Sequence, residues 1–277
     1  MRRSLRGIID RLYTVFAIFA FLVLIIPLLH IIISIVINGL RRFDLELITA
    51  TPGSLLGSGG GILHAIVGTA MVVFVAMLIS LPLGFFAGLY LAEFAKGKFA
   101  HFLRTLISIL AGVPSIIAGV FAYTVIVITY GFSVLAGGLA LGIIAIPYVA
   151  RSTEEALESV PMEIKEAGFS LGIERWKIVL FIDVGYAKSR IIAGFLLALA
   201  RVIGETAPLL VTVLGGINIP SNILSPANAI PLVIYQYALS PFEVWHNIAW
   251  SAALLLMIIV LVLNLGVRYY LKIKMIY

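Results

Sequence analysis

Two charged residues interrupt the apolar stretch LARVIGETAPLLVT at 199–212. Arg201 and Glu205 lie four residues apart, so on a helix they share one face and partly neutralise each other. A charge at the centre of a membrane helix costs about 2.5–3.5 kcal/mol on insertion scales, and such a residue is a candidate for function by default. The planar guanidinium fork fits two oxygens of a tetrahedral oxyanion such as phosphate. The spacing predicts a substrate path that contains Arg201, Glu205 and the adjoining Thr206.

The same pair has a structural alternative, because a salt bridge inside a membrane protein can simply fix helix packing. In the functional reading, Glu205 holds Arg201 in place between substrates or accepts a hydrogen bond from a protonated phosphate. Three residues further on, Pro208 cannot donate to the carbonyl of Gly204, so we expect the helix to loosen beside Glu205. Both readings require this segment to lie inside an apolar medium.

The composition of the whole chain is that of a protein embedded in lipid. Of its 277 residues, 62% are hydrophobic and 12% are charged, against roughly 25% charged residues in a soluble domain. A bilayer is crossed by about 20 apolar residues in a helix. Six runs of sufficient length predict an all-α integral membrane protein with one transmembrane domain over 1–277, and they lie near 12–37, 63–94, 102–130, 133–151, 188–214 and 247–271.

The distribution of lysine and arginine predicts the orientation. Basic residues collect before the first span, between the second and third, between the fourth and fifth, and after the sixth, whereas the loop at 215–246 has none. Since basic residues near span ends stay on the cytoplasmic side, we expect both termini in the cytoplasm of a prokaryotic cell. The net charge of +6 therefore serves topology, and no nucleic acid partner is expected.

The largest polar segment is the predicted cytoplasmic loop at 152–187. Pro161 and Glu163 suit the first turn of a short helix, and Gly172 suits its C-terminal cap. Ala167 and Gly168 form a patch of small residues between them. The segment is typical of a helix that docks into a groove of a partner protein, although a solvated amphipathic surface helix is the alternative.

The run EAGFSLGIERWKIVLFIDVG at 166–185 resembles the EAA loop of permease subunits in ATP-binding-cassette (ABC) importers. Gly168 replaces the usual second alanine of that motif, and Gly185 replaces the usual proline. In that family the loop carries a coupling helix that sits in a cleft of the ATPase subunit. The resemblance implies that this chain contacts an ATPase through the matching positions, Glu166, Ala167, Gly168 and Gly172.

A second resemblance covers nearly the whole chain from Gly60 onward. RVIGETAPLL at 201–210 resembles the signature of permease subunits of phosphate importers, and so do GGILHAIVGTAM, LPLGFFAGLYLAEFA, GVPSIIAGVF and LVIYQYA. It implies a non-catalytic subunit that binds no cofactor itself, while a partner ATPase dimer uses ATP and magnesium. The other implied partners are a second permease, related or identical, and an extracytoplasmic phosphate-binding protein.

Three other functions stay open from the residues alone. Arg201 would suit sulfate, molybdate or tungstate as well as phosphate. A secondary transporter that does not use ATP would be expected to show inverted repeats or several more intramembrane ionisable residues, and the sequence shows neither. A passive scaffold is the third alternative. The segment GSGGG at 57–61 lacks the Lys-Ser/Thr that follows a phosphate-cradling loop, so we expect no nucleotide site. The chain has no cysteine and its four histidines lack metal-ligand spacing, so we expect no metal site.

Overall fold

The computed structural model describes residues 2–53 and 60–274, and most of these are helical. The predicted all-α class is confirmed. Residues 57–59 of the glycine-rich segment lie outside the described residues. The helices are, in chain order, α1 (Arg2–Gly39), α2 (Leu45–Thr49), α3 (Leu63–Glu93), α4 (Gly97–Gly112), α5 (Ser115–Ala122), α6 (Ile128–Tyr130), α7 (Val134–Glu158), α8 (Met162–Ser170), α9 (Arg175–Lys177), α10 (Val184–Ile203), α11 (Ala207–Leu210), α12 (Ile230–Ala238) and α13 (Glu243–Lys274).

The core is built on α3 and α7, which pack against each other along most of their length. Glycines allow this close approach. A Cβ atom built on Gly88 would lie 2.3 Å from the carbonyl oxygen of Ala150, and one built on Gly138 would lie 2.5 Å from the Cβ of Val75. Small residues at helix contacts are typical of membrane proteins, where dispersion forces replace the hydrophobic effect between helices.

The periphery carries apolar side chains that the chain does not cover. The apolar stretch Leu12–Arg42 comprises most of α1 and the 3₁₀ turn after it, and its most apolar part is exposed. The helix α1 packs on α13. Stretches in α1, α3, α7 and α13 are long and apolar enough to cross a bilayer, and α4 with α5 can make a fifth crossing. An apolar surface of this size needs lipid or another subunit around it.

The predicted span at 102–130 is bent, because the chain turns there by 95° between α4 and α5. Val113 and Pro114 take extended backbone conformations at the break, each with ψ of 130°. Proline has no N–H to continue the helix and pushes the residue before it out of the helical region.

The predicted span at 188–214 is interrupted beside Glu205, where Pro208 was expected to loosen the helix. The helix α10 ends at Ile203, and after a break at Gly204–Thr206 only the four-residue α11 follows. Pro208, the second residue of α11, cannot take part in a ladder that continues from α10. Every stretch of eighteen residues in α10 also contains three basic residues, so the six-span count stays a prediction.

The other boundaries differ less from the prediction. The predicted span at 63–94 corresponds to α3, and that at 12–37 lies inside α1. The helix α7 continues to Glu158, so the predicted loop at 152–187 begins as helix, and α13 begins four residues before the predicted 247.

We expect Gly88→Ala to lower the unfolding free energy by about 1–3 kcal/mol, because the added methyl group must push α7 away from α3. The control is Gly266→Ala, since a Cβ atom at this α13 position meets no atom of the described residues within 4 Å. That control should leave stability unchanged or raise it by up to about 1 kcal/mol. Thermal unfolding of the detergent-purified protein measures both, and equal midpoints would contradict the close packing of α3 on α7.

Candidate functional site

The side chain of Arg201 is held on two sides. It lies in the last turn of α10, and its guanidinium forms an ion pair with the carboxylate of Glu205, past the end of the helix. The guanidinium carbon also lies 5.8 Å from the ring centre of Tyr148 on α7, within the range of a cation–π contact. The Arg201 side chain is 49% exposed and that of Glu205 is 9% exposed. The arginine therefore faces open space, while the glutamate lies behind it.

Two helix breaks meet beside this pair. The backbone N–H of Glu205 donates to the carbonyl of Val202 at 3.2 Å, which closes the last turn of α10. The following helix, α11, packs against α5, because a Cβ atom built on Gly119 would lie 2.7 Å from the Cα of Pro208. The break before α11 therefore lies close to α5, which itself begins just after the break at Pro114.

A cavity of about 680 Å³ lies between α10, α7 and the junction of α4 with α5. Apolar side chains form most of its wall, and Pro114, Ser115, Tyr148 and Arg201 complete it. Among the described residues that line it, Arg201 is the only charged one. A cation in an apolar wall attracts an anion more strongly where less water screens it.

A second cavity, of about 380 Å³, shares Tyr148 and Arg201 with the first and continues to Arg151 and Glu155. The α7 residues Tyr148, Arg151 and Glu155 follow one another at helical spacing, so they line one face of α7. Arg151 donates to the Oγ atom of Ser108 on α4 at 2.7 Å. The two cavities are neighbours along α7, and Arg201 belongs to the wall of both.

The three residues of the predicted substrate path differ in position. Arg201 lines both cavities, and Glu205 contacts it from behind without lining either of them. Thr206 lies at the start of α11, where its carbonyl accepts from the N–H groups of Leu209 and Leu210, and it lines neither cavity.

The sequence analysis did not identify Tyr148 as a contact of Arg201. It counted Arg151 only among the basic residues that indicate the orientation in the membrane. Both lie on α7, in the region of the fourth predicted span. The signal that could have found them is the pairing of an aromatic and a basic residue at helical spacing near the end of an apolar run. Nothing in the sequence shows that this face of α7 lies opposite Arg201.

The predicted docking segment forms the short helix α8. Pro161 precedes it and Glu163 lies in its first turn, as predicted. Glu166 and Ala167 are exposed, whereas Gly168 is buried against two isoleucines. A Cβ atom built on Gly168 would lie 3.1 Å from side-chain atoms of Ile178, so the space suits glycine better than alanine.

Gly172 ends this segment in the left-handed conformation, with φ of 72°. Its N–H donates to the carbonyl of Phe169 at 2.9 Å, and the N–H of Ile173 donates to that of Gly168 at 3.3 Å. These two bonds form a Schellman motif, which confirms the predicted glycine cap. Large apolar side chains stay exposed on and after the helix, namely Met162, Phe169, Leu171 and Trp176.

The ammonium group of Lys165 lies beside part of this exposed surface, because Met162, Lys165 and Phe169 line one cavity together. It pairs with the carboxylate of Glu93, the last residue of α3, and with that of Asp183 just before α10. Burial raises the pKa of the Asp183 carboxyl, and the neighbouring ammonium group opposes that rise. The segment therefore presents Glu166 and Ala167 outward and is fixed to the helices through Lys165.

Comparison with known proteins gives a family match and close relatives. Residues 80–272 match the family described as "Binding-protein-dependent transport system inner membrane component". A "Probable phosphate transport system permease protein PstA" from Methanocaldococcus jannaschii is 43% identical over 98% of this chain and 96% of its own length. A "Phosphate transport system permease protein PstA" from Xylella fastidiosa is 41% identical over 85% of this chain and 83% of its own length. One of the same name from Mycobacterium leprae is 37% identical over 94% and 88%.

Solved structures show the same fold. An inward-facing structure of the MetNI methionine ABC transporter aligns with 76% of this chain and 94% of its own chain, with a TM-score of 0.60 and 20% sequence identity. The crystal structure of an amino acid ABC transporter with histidines covers 76% and 91%, with a TM-score of 0.56 and 17% identity. At these identities the likeness concerns the fold alone.

We expect Gly172→Ala to weaken the C-terminal end of α8, because a left-handed residue with a side chain costs about 1–2 kcal/mol. Gly172→Asn is the matched control, since asparagine visits this conformation more readily. No neighbouring atom lies within 4 Å of a Cβ at this position, so backbone conformation alone separates the two variants. Hydrogen exchange of the α8 amides should accelerate in the alanine variant well beyond the asparagine variant, and equal rates would contradict the role of the cap.

Proposed function

Because the chain belongs to the family of binding-protein-dependent transport system inner membrane components, as a PstA-like member, we propose that it is the membrane subunit of an ABC importer for inorganic phosphate. In this role it provides part of the passage and catalyses no covalent reaction. A partner ATPase binds and hydrolyses ATP, and an extracytoplasmic protein delivers the phosphate. A prokaryotic cytoplasmic membrane, with both termini inside the cell, is the location that fits these partners.

The observation that carries the proposal is the guanidinium of Arg201 in the wall of an apolar cavity of about 680 Å³. An anion that leaves water needs strong donors, and a guanidinium offers two parallel N–H groups to two phosphate oxygens. The helix α5 begins at Ser115 in the same wall, so its unsatisfied N–H groups and the positive end of its dipole add to this attraction.

The pairing of Arg201 with Glu205 suits passage better than tight binding. The two side chains are neutral together, so an incoming phosphate must compete with a carboxylate that is already in place. Since Glu205 lies behind the arginine and lines neither cavity, we assign it the role of holding Arg201 rather than of contacting phosphate. A site on a transport path must release its substrate, and weak binding allows that release.

A second subunit is needed to close the path. Half of the Arg201 side chain is exposed in the isolated chain, and apolar stretches of α1, α4 and α5 are uncovered. We propose that a second permease, related or identical, covers the open side of the cavity. The ATPase then docks on α8, where Glu166 and Ala167 lie beside the exposed apolar side chains Phe169 and Leu171.

Substitution of Arg201 tests the substrate path in vesicles that contain the whole complex. We expect Arg201→Ala to lower ATP-driven phosphate uptake by about 100-fold, because two charge-assisted hydrogen bonds are lost. Arg201→Lys should retain part of the uptake, since lysine keeps the charge but not the fork. The control is Arg190→Ala, which removes an exposed arginine from the same helix.

The same vesicles decide between anions. Competition by sulfate, molybdate or tungstate at equal concentration should leave phosphate uptake unchanged, and preferential uptake of one of these would replace phosphate as the cargo. Uptake that persists in Arg201→Ala would remove the arginine from the path. Uptake by the chain without an ATPase would identify a secondary transporter, and normal uptake in every variant with intact assembly would fit a scaffold.

Charge reversal on α8 tests docking of the ATPase. We expect Glu166→Lys to reduce recovery of the ATPase with the purified chain by at least about tenfold, because an exposed acidic contact becomes repulsive. Glu243→Lys serves as the control, since Glu243 is also exposed but lies in the first turn of α13. Co-purification at parent levels in the Glu166 variant would show that the ATPase docks elsewhere.

A further inference from the structure

Three buried charges meet where α8 contacts the ends of two long helices. Lys165 of α8 pairs with Glu93 at the end of α3, and its ammonium nitrogen lies 3.6 Å from a carboxylate oxygen of Asp183. The three side chains are 15%, 8% and 0% exposed, in that order. Each of them comes from a different segment, so the cluster joins three parts of the chain.

The end of α3 is also held by the segment after α8. Arg175 donates to the backbone carbonyl of Glu93, and its guanidinium carbon lies 5.1 Å from the ring centre of Phe94. By contrast, the other ion pair of this segment joins Lys177 to Glu174 at 2.8 Å, three residues apart, and both side chains are about half exposed. That pair connects α9 only to itself.

The cluster holds one positive charge and two negative charges, so it is not a simple neutral ion pair that stabilises the fold. One ammonium group serves two carboxylates, and neither oxygen of Asp183 has a hydrogen-bond partner among the described residues. A buried ion pair commonly adds little stability over apolar residues of the same size, and breaking it is costly. Such a cluster is better suited to fixing one relative position of its three segments.

The helices joined in this way lead to the substrate path. α3 packs along α7, whose residues Tyr148 and Arg151 line the path. Asp183 directly precedes α10, and Arg201 lies near the opposite end of α10, about 27 Å away at 1.5 Å per residue. A rigid helix of this length transmits a displacement from one end to the other.

We propose that Lys165 is a positioning residue for energy coupling, which transmits movement of α8 to α3 through Glu93 and to α10 through Asp183. The inference rests on the proposed function, because it requires an ATPase that moves α8. It assigns to Lys165 a task separate from docking, which belongs to the exposed side of α8 with Glu166 and Ala167.

The experiment uses the complete complex in proteoliposomes and measures ATPase recovery, ATP hydrolysis and phosphate uptake. We expect Lys165→Met to retain the ATPase, because the docking surface is unchanged, while phosphate transported per ATP hydrolysed falls by about tenfold or more. Lys165→Arg should restore coupling, since it keeps a cation between the two carboxylates. Lys177→Met, which removes the exposed pair from the same segment, should couple as the parent does.

A triple variant separates positioning from stability. Lys165→Met combined with Glu93→Gln and Asp183→Asn leaves no unpaired buried charge, so its thermal unfolding midpoint should return to that of the parent. We expect its coupling to stay low, because the directional link between the three segments is absent.

Parent-like coupling in the triple variant would overturn the inference. Failure of that variant to retain the ATPase would also overturn it, because the cluster would then serve docking or folding. An equal loss in Lys177→Met would also contradict it. If the parent complex itself moves no phosphate, the proposed function fails instead, and the two failures are thereby distinguished.

Discussion

The cost of holding a guanidinium inside an apolar bundle is the constraint on which the rest of the structure depends. An unpaired charge at that depth is expensive, and here the ring of Tyr148 and the carboxylate of Glu205 offset the cost. Both contacts impose geometry. The tyrosine requires α7 to approach α10, which Gly194 allows, because its Cβ position would lie 2.4 Å from Ser152. The glutamate lies one turn after Arg201, just beyond the end of α10, and from there it contacts the arginine from behind.

Proline supplies the second half of this arrangement by breaking two helices in the same region. Irregular backbone is tolerated at membrane depth only where it is buried in protein or lines a cavity. Val113 and Pro114 line the cavity, and Pro208 packs against the helix that follows them. The break at Val113–Pro114 is therefore part of the wall that an anion would meet, and the break before α11 packs against the helix that follows it.

Local signals in the sequence predicted much of this fold, and contacts between distant segments account for the rest. The apolar run at 63–94 corresponds to α3, and Gly172 caps α8, because length and backbone conformation are local properties. Arg201 stood out only because it is a charged residue within an apolar run. The 95° angle of the bend at Pro114 was not predicted, because an apolar run shows the medium that surrounds it but not its path, whereas Pro208 predicted the loosening beside Glu205, where α10 ends. The contact with Tyr148 depends on the packing of α7 on α10, which no local pattern records.

The ion pair between Arg201 and Glu205 also crosses the break at Gly204, with the arginine on α10 and the glutamate beyond its end. A change in the angle between α10 and α11 therefore alters the distance between the two groups, and with it the share of the guanidinium that an anion can use. Asp183, at the other end of α10, contacts the same lysine that fixes α8. If an ATPase moves α8, α10 carries that movement to the ion pair between Arg201 and Glu205. This ion pair decides whether Arg201 is paired with Glu205 or with the transported anion. Under the proposed function, the movement of the ATPase therefore acts at one end of α10, and phosphate is released at the other end.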